Sequence, residues 1–509
     1  MNKYLYILIL SMIAVADAEA QGQKTTATPQ AVADDGRPRL VVNISIDQLR
    51  ADYLQEFMPR YCATGFKKLL QTGKVYENAS VTFMPTDRVS ASAALVTGAP
   101  PCYNGVIGAE WFSRKSNRKI LSVTDQQSLL SPRGNVPTPA NLLASAIGDE
   151  LKIVTKKAGK VYGVAPYCDA AIMLAGHSGD GAFWIDQQNG LWTTTSYYNK
   201  AIPAWMTSYN KANTFQNKAK MIKTSATGGT RYSEYLTSPY VNSDVTAMAL
   251  QCAINAQLGA DAVPDILNVQ YYAGTWRGKS EYDPTAELAN TYIQLDAALS
   301  KLITSLESRV GQKHILFVIS STGYFDEPAI DYEQYNVPSG TVYINRTANL
   351  LNMFLSASYG QAHYVDGYVD NNIYLNHKVI EQKRLKLDEV LDRSRDMLVL
   401  SDGITNAYTS LDLSSSTDIE KRLLHNGFNI ESSGDLVVET APGWKLFNED
   451  TQKQQQWRQY GFTFPLIIYG GDVKHEVVTT PVTTDQIAPT ICHSIHIRAP
   501  NACKSAALH

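Results

Sequence analysis

The chain has 509 residues, of which 44% are hydrophobic, 10% aromatic and 18% charged. That length accommodates one large domain or two to three ordinary ones, and the aromatic content excludes global disorder. The 45 Lys and Arg against 48 Asp and Glu leave a net charge of −3, which excludes a strongly basic nucleic-acid binder and gives no attraction to an anionic membrane surface.

The first residues read as an export signal. Lys3 supplies a positive start, and Tyr4 to Ala16 is an apolar run of 13 residues, short for a bilayer span. Ala18-Glu19-Ala20 then offers small side chains at a cleavage position, with Gln21 as the new N-terminus. An uncleaved anchor is the alternative. Residues 1–20 are therefore expected to be a signal peptide and 21–36, rich in Thr, Ala, Gln and Asp, a flexible leader. No later stretch has 18 consecutive apolar residues, so no transmembrane segment is expected in the mature chain, whose expected location is the periplasm or the cell exterior.

Residues 37–509 read as a single α/β domain. Arg39–Ile46 is a nearly unbroken β-branched run, the pattern of a strand buried on both faces. It ends at Asp47, and Gln48–Tyr61 carries helical spacing. Lys160–Ala165, Ile266–Tyr271, His314–Ser320 and Phe464–Tyr469 are further strand candidates. Leu288, Tyr292, Leu295, Leu299, Leu302 and Leu306 recur on one face of a helix expected over 286–310, and Thr484–Ile495 reads as another helix. Alternating strands and helices predict a mostly parallel sheet covered on both faces. The stretches 182–240 and 332–436 read as insertions or a cap.

Six cysteines, Cys62, Cys102, Cys168, Cys252, Cys492 and Cys503, form no C-x-x-C pair, so neither a zinc ribbon nor a redox pair is expected. Cys492 and Cys503 are near enough in sequence to clip the C-terminus if exported, although spacing does not establish pairing. His493 and His496 lie three apart, but with no third ligand nearby they read as a surface pair. Gly228-Gly-Thr230 is too short for a phosphate loop. Asn78-Ala-Ser80 and Asn345-Arg-Thr347 match glycosylation sequons.

In open α/β sheets chemistry sits at the carboxyl ends of strands, where Asp47 falls. Around it runs a series of segments that resembles the alkaline phosphatase superfamily. Within it, the chain looks most like the phosphate-irrepressible alkaline phosphatases and the nucleotide pyrophosphatase/phosphodiesterases. The segments are Leu40–Leu54, Met84-Pro-Thr86 with Leu95-Val-Thr-Gly98, Asn104–Trp111, Ala175–Trp184 with Thr195–Tyr198, Thr291–Asp296, Ser433–Leu436 with Pro442-Gly-Trp444, and Asp485–Thr490. The resemblance implies phosphate-ester hydrolysis by two zinc ions and a Thr or Ser nucleophile.

Position by position, this chain departs from what the resemblance implies. The nucleophile position, ten residues before Gly98, holds Arg88, and a guanidinium stays protonated and cannot attack. Thr86, Ser90 and Ser92 are the nearby hydroxyls. The Asp-x-x-x-His pair expected after Gln270 is replaced by Tyr271, Tyr272, Gly274, Thr275 and Trp276. The Asp-His pair after the next strand is replaced by Ser321 and Thr322, and the last histidine turn by Lys453-Gln-Gln-Gln456. Ala109 stands in place of the phosphate-contacting Asn, and Tyr167-Cys-Asp169 in place of a Lys-Asp-Arg segment. Of the implied ligands only Asp47 remains, and zinc needs three to four donors per ion.

No catalytic residue, metal or cofactor is therefore expected, zinc being expected only if the hydrolytic alternative holds. The remnant site is expected to comprise Asp47, Asp87, Arg88, Ala109, Tyr167, Asp169, Thr275, Ser321 and Thr322. An Asp47–Arg88 ion pair is expected there, with Asp87 as a second candidate partner for Arg88; the alternative is that Arg88 is a solvent-exposed residue at a helix start. His177 reads as a hydrogen-bonded loop histidine. The expected role is a binding or complex subunit, its partner an unidentified protein or ligand, possible as part of a membrane-associated complex. A still-active hydrolase with a relocated nucleophile or an unrecognised metal site is the alternative.

Overall fold

Eight consecutive residues, Leu40–Asp47 (β1), are all buried and lie at the centre of the fold. Their alternation divides two environments. Leu40, Val42, Ile44 and Ile46 join the larger apolar core, whereas Asn43, Ser45 and Asp47 point to the opposite face. The computed structural model describes residues 36–125, 136–213, 231–276, 284–325, 336–415, 421–455 and 463–508. The expected signal peptide, the leader up to residue 35 and the Gly228-Gly-Thr230 pair lie outside the described residues.

Nine further strands build the central sheet. They are Lys74–Ser80 (β2), Val161–Val164 (β3), Gly181–Ile185 (β4), Trp192–Thr193 (β5), Asp265–Tyr272 (β6), Ile315–Ser321 (β7), Phe464–Gly470 (β8), Glu476–Val478 (β9) and Val482–Thr483 (β10). The order is β9-β2-β8-β7-β1-β6-β3-β4-β5, with β10 also paired to β2. β7, β1, β6, β3 and β4 run parallel. β8 runs antiparallel to both β7 and β2, so the sheet is mixed but mostly parallel. Asp47 pairs in register with Tyr272, and Ile46 with Ser321, which brings the carboxyl ends of three strands together.

Helices cover both faces. Val241–Asn255 and Pro284–Val310 pack on the Ile44 side, contributing Val245, Met248, Leu295, Leu299, Leu302 and Leu306 to the core. On the other side lie α1 (Arg88–Thr97) and α2 (Cys168–Ala175), which pack on each other and are built largely of small residues. Small side chains let both helices approach the polar face of β1 and β6. There Asn43 donates to Asn268 at 2.9 Å, Asn268 donates to the Leu174 carbonyl at 2.9 Å, and Gln270 donates to Ser92 at 2.8 Å.

Three sequence expectations need correction. The helix expected over Gln48–Tyr61 is broken into Ala51–Glu56 and a 3-10 turn at Met58–Arg60, because Gln48 adopts a positive φ of 64° and Pro59 interrupts the ladder. Thr484–Ile495 begins as a 3-10 turn and becomes α-helical only at Ile487–Ser494. Part of the stretch 182–240 is no insertion at all, since β4 and β5 extend the central sheet. The region from residue 340 to 455 forms a three-stranded and a four-stranded sheet around a separate apolar cluster containing Leu351, Leu355, Ile373, Leu391 and Val438.

Candidate functional site

The site is assembled where the carboxyl ends of β1 and β7 meet the N-termini of α1 and α2. Asp47, 3% exposed, accepts a hydrogen bond from the Thr322 hydroxyl at 2.9 Å. The Thr322 amide donates to the Ile46 carbonyl at 3.2 Å, continuing the sheet pairing to this point. Ser321 turns away, its hydroxyl donating to the Leu49 carbonyl at 3.0 Å. Thr275 lies in the loop after β6, where its carbonyl accepts from Tyr272 at 2.7 Å.

Asp87 caps α1. One carboxylate oxygen accepts from the Val89 and Ser90 amides at 3.0 and 2.7 Å, and the other from the Ala109 amide at 2.8 Å. Ser90 completes the capping box by accepting from the Asp87 amide at 3.0 Å. Burial pushes the Asp87 carboxyl up, and the Ser90 hydrogen bonds oppose that shift. Gly98 ends the helix at φ 62°, where a Cβ would lie 2.7 Å from the Cys503 sulfur.

Arg88 is the first residue of α1. Its Nη2 donates to both oxygens of Asp169, at 2.9 and 3.2 Å, and its guanidinium lies 3.7 Å from the centre of the Tyr167 ring. The expected Asp47–Arg88 pair is therefore corrected. The ion-pair partner is Asp169, supplied by the first turn of α2, and neither Asp47 nor Asp87 takes that place. The reason is that Thr322 and Asp87's capping amides already occupy the other carboxylates, while α2 delivers Asp169 and Tyr167 side by side. Burial works against the Arg88 charge, but Asp169, Tyr167 and Asp47 together hold it firmly protonated. The pair is only about one-fifth exposed, at 22% and 19%.

The hydroxyls nearest the position where the resemblance implies a nucleophile are engaged. Thr86 donates to the Phe83 carbonyl at 3.0 Å, Ser90 serves the cap, and Ser92 donates to the Arg88 carbonyl at 2.7 Å. Among the described residues, the donors beside Asp47 do not fit the dinuclear zinc centre that the sequence resemblance implies. Next to Asp47 the strand ends present hydroxyl, phenol and amide groups, and among the described residues no group of three or more His, Cys, Asp or Glu could hold a metal. Lys453, in place of the last histidine turn, pairs with Asp370 at 3.1 Å and feels the charges of Glu110 and Asp87. Elsewhere, His177 bonds Asp149 at 3.0 Å and the Leu142 carbonyl at 2.9 Å, as a loop histidine should. His493 and His496 are both exposed. All six cysteines are free thiols.

Sequence reasoning missed the Arg88–Asp169 pair and the Tyr167 stack. The available signal was that the resemblance implies other residues at Tyr167, Asp169 and Arg88 together. A cation accompanied by a carboxylate and a ring is the pattern of a compensated charge.

This mostly parallel sheet with its strand-end site is the architecture of the alkaline phosphatase superfamily. The family model described as type I phosphodiesterase/nucleotide pyrophosphatase matches residues 41–462, and the chain belongs to that family. It is similar to alkaline phosphatase PafA of Elizabethkingia meningoseptica, 24% identical with 94% of each chain covered. It is also similar to alkaline phosphatase PhoV of Synechococcus elongatus, 25% identical with 97% of each covered. The crystal structure of wild-type PafA superposes with a TM-score of 0.78 at 24% identity, covering 93% of this chain and 98% of that one.

Proposed function

We propose that this protein is an exported, catalytically silent member of its family that acts as a binding or complex subunit. The observation that carries the reading is Arg88. The side chain at the expected position of attack is a cation, clamped between Asp169 and Tyr167. A nucleophile must be deprotonated and aimed, whereas this group is held charged and donates hydrogen bonds. The surrounding hydroxyls are committed to capping and backbone carbonyls, and the strand-end donors do not suit zinc. Export rests on the N-terminal pattern of Lys3, the apolar run and Ala18-Glu19-Ala20. Among the described residues no helix is long and apolar enough to cross a membrane.

The names of the relatives favour the hydrolytic alternative, so the test must address it directly. Purified mature protein is assayed for bound zinc and for turnover of p-nitrophenyl phosphate and bis-p-nitrophenyl phosphate, with and without a chelator. The expected outcome is substoichiometric zinc and no chelator-sensitive turnover. Two zinc ions per chain with turnover abolished by chelation would establish the hydrolase instead.

A further inference from the structure

A second site lies at the far end of α1 from the strand-end cluster. The helix begins at Arg88 and is ended by Gly98, so at 1.5 Å per residue its two ends are about 15 Å apart. Gly98 lines a cavity of about 400 Å³, a volume that suits a small molecule. Segments distant in sequence build its walls. They are the end of β2 with the residues after it, the turn beyond α1, the helix Arg422–Gly427, the residues after β10 and the C-terminal segment. The C-terminal segment is fixed there by the Ser505 hydroxyl, which donates to Asp485 at 2.5 Å, and by the Leu508 amide, which donates to Thr490 at 2.8 Å.

The lining carries an excess of positive charge. Its cations are Arg422 and Lys504, both exposed, and among the described residues its one carboxylate is Asp485, already engaged by Ser505. Neither cation has an ion-pair partner among the described residues. Lys504 is held by a neutral group instead. Its ammonium donates to the Tyr103 hydroxyl at 2.7 Å and lies 3.9 Å from the centre of the Tyr103 ring. The charge is thus positioned without being cancelled, and two of its three N–H donors remain for a ligand. The Ser80 and Thr82 hydroxyls line the same cavity and have no hydrogen-bond partner among the described residues. A guanidinium, an ammonium and two hydroxyls on different walls attract an anion and offer it donors from several directions. A planar carboxylate presents two oxygens in one plane, whereas a phosphate or sulfate group spreads three around a centre, which suits donors placed on separate walls.

From these observations we infer that the cavity between Arg422 and Lys504 binds a phosphate or sulfate monoester of a small polar molecule. Arg422, Lys504 and the Ser80 and Thr82 hydroxyls take the tetrahedral oxyanion, and the rest of the cavity takes the esterified body. The site shares no residue with the strand-end cluster, so the inference stands whichever way the zinc and turnover measurements fall.

The test titrates glucose 6-phosphate, glucose 6-sulfate, glucuronate and glucose into the full mature chain by isothermal calorimetry. At least one ester is expected to bind once per chain, and the tighter of the two names the oxyanion. Glucuronate should bind about tenfold more weakly than that ester and glucose not at all, and added salt should weaken the ester. The sulfate ester reports binding even if the phosphate ester is hydrolysed at the strand ends. Arg422→Gln and, separately, Lys504→Gln are expected to weaken the ester about tenfold, as loss of a charged hydrogen-bond donor does. Both side chains are exposed, so unchanged thermal melts confirm folding. Failure of both esters to bind would overturn the inference. So would glucose or glucuronate binding as tightly as the ester, or unchanged ester affinity in both variants, which places the anion elsewhere on the molecule.

Discussion

At the scale of single residues, the proposed reading rests on Arg88. It sits where the resemblance implies a hydroxyl, and Asp169 and Tyr167 pack against it. Restoring the hydroxyl with Arg88→Thr therefore should not restore turnover. It removes the partner of a carboxylate that is four-fifths buried, and the Tyr167 ring loses its stacked cation. The expected loss is about 1–3 kcal/mol, the cost of leaving a charged hydrogen-bonding group unsatisfied, read from chemical denaturation. A Thr variant as stable as the parent, or one that turns over p-nitrophenyl phosphate, would show that the clamp has no such role. His177 supplies a second residue-scale prediction. The hydrogen bond to Asp149 raises the His177 pKa above its ordinary value of 6.5, and Asp149, despite its burial, is lowered in return. A raised histidine stabilises the fold below its unfolded pKa and ceases to do so as pH rises through the folded value. The melting temperature should thus fall as pH rises above about 6.5, and His177→Gln should flatten that part of the profile. The chemistry of single side chains is legible in the sequence, because identity alone shows that a guanidinium stays protonated and cannot attack. The partner of Arg88 was not legible. It depends on which carboxylate is already saturated, and the Thr322 bond to Asp47 and the amides around Asp87 exist only in three dimensions.

Elements explain why that clamp holds. α1 begins at Arg88 because Asp87 caps it, and it is buried along its length because its residues are small. Asp87→Ala removes acceptors for the Val89, Ser90 and Ala109 amides together. Loss of an N-cap costs about 0.5–2 kcal/mol, and the Ala109 contact places this one at the upper end. Asp87→Asn, which keeps one acceptor, should recover most of the loss in the same denaturation measurement. If Asp87→Ala were neutral, the helix start would not depend on the cap. Strands were the most legible elements. The strand candidates at 39–46, 266–271 and 314–320 correspond to the central strands Leu40–Asp47, Asp265–Tyr272 and Ile315–Ser321, each buried along its length as a strand covered on both faces is. The exceptions within β1 carry the information that the run concealed. Asn43, Ser45 and Asp47 share a face, and their alternation marks the side on which α1 and α2 lie. Helical spacing after Asp47 misled, because a backbone turn at Gln48 and a proline at Pro59 outweigh it. The direction of β8 was illegible too, as an apolar run reads the same for a parallel and an antiparallel neighbour.

Across the whole molecule, the proposed reading is that the sheet stands without the ions that the family's chemistry uses. In a metalloenzyme of this architecture, cations would neutralise the acidic groups gathered at the strand ends. In the proposed reading that compensation is part of the chain. Arg88 serves Asp169, Thr322 donates to Asp47, backbone amides serve Asp87, and Lys453 reaches Asp370. A ligand that binds the native state alone stabilises it, by about 2.7 kcal/mol at one hundred times its dissociation constant. A fold that retained its metals would therefore lose melting temperature in a chelator and regain it with zinc. For this protein the melting curve should be superimposable with chelator, with added zinc and with neither. An upward shift that saturates with zinc and reverses on chelation would reveal a native metal site, and the compensating pairs would then be incidental. The sharper form of the experiment uses Arg88→Ala. If internal charge has replaced the ion, this variant melts lower than the parent in every condition, and zinc does not rescue it, because the ligands that would hold zinc beside Asp47 are absent from the described strand ends.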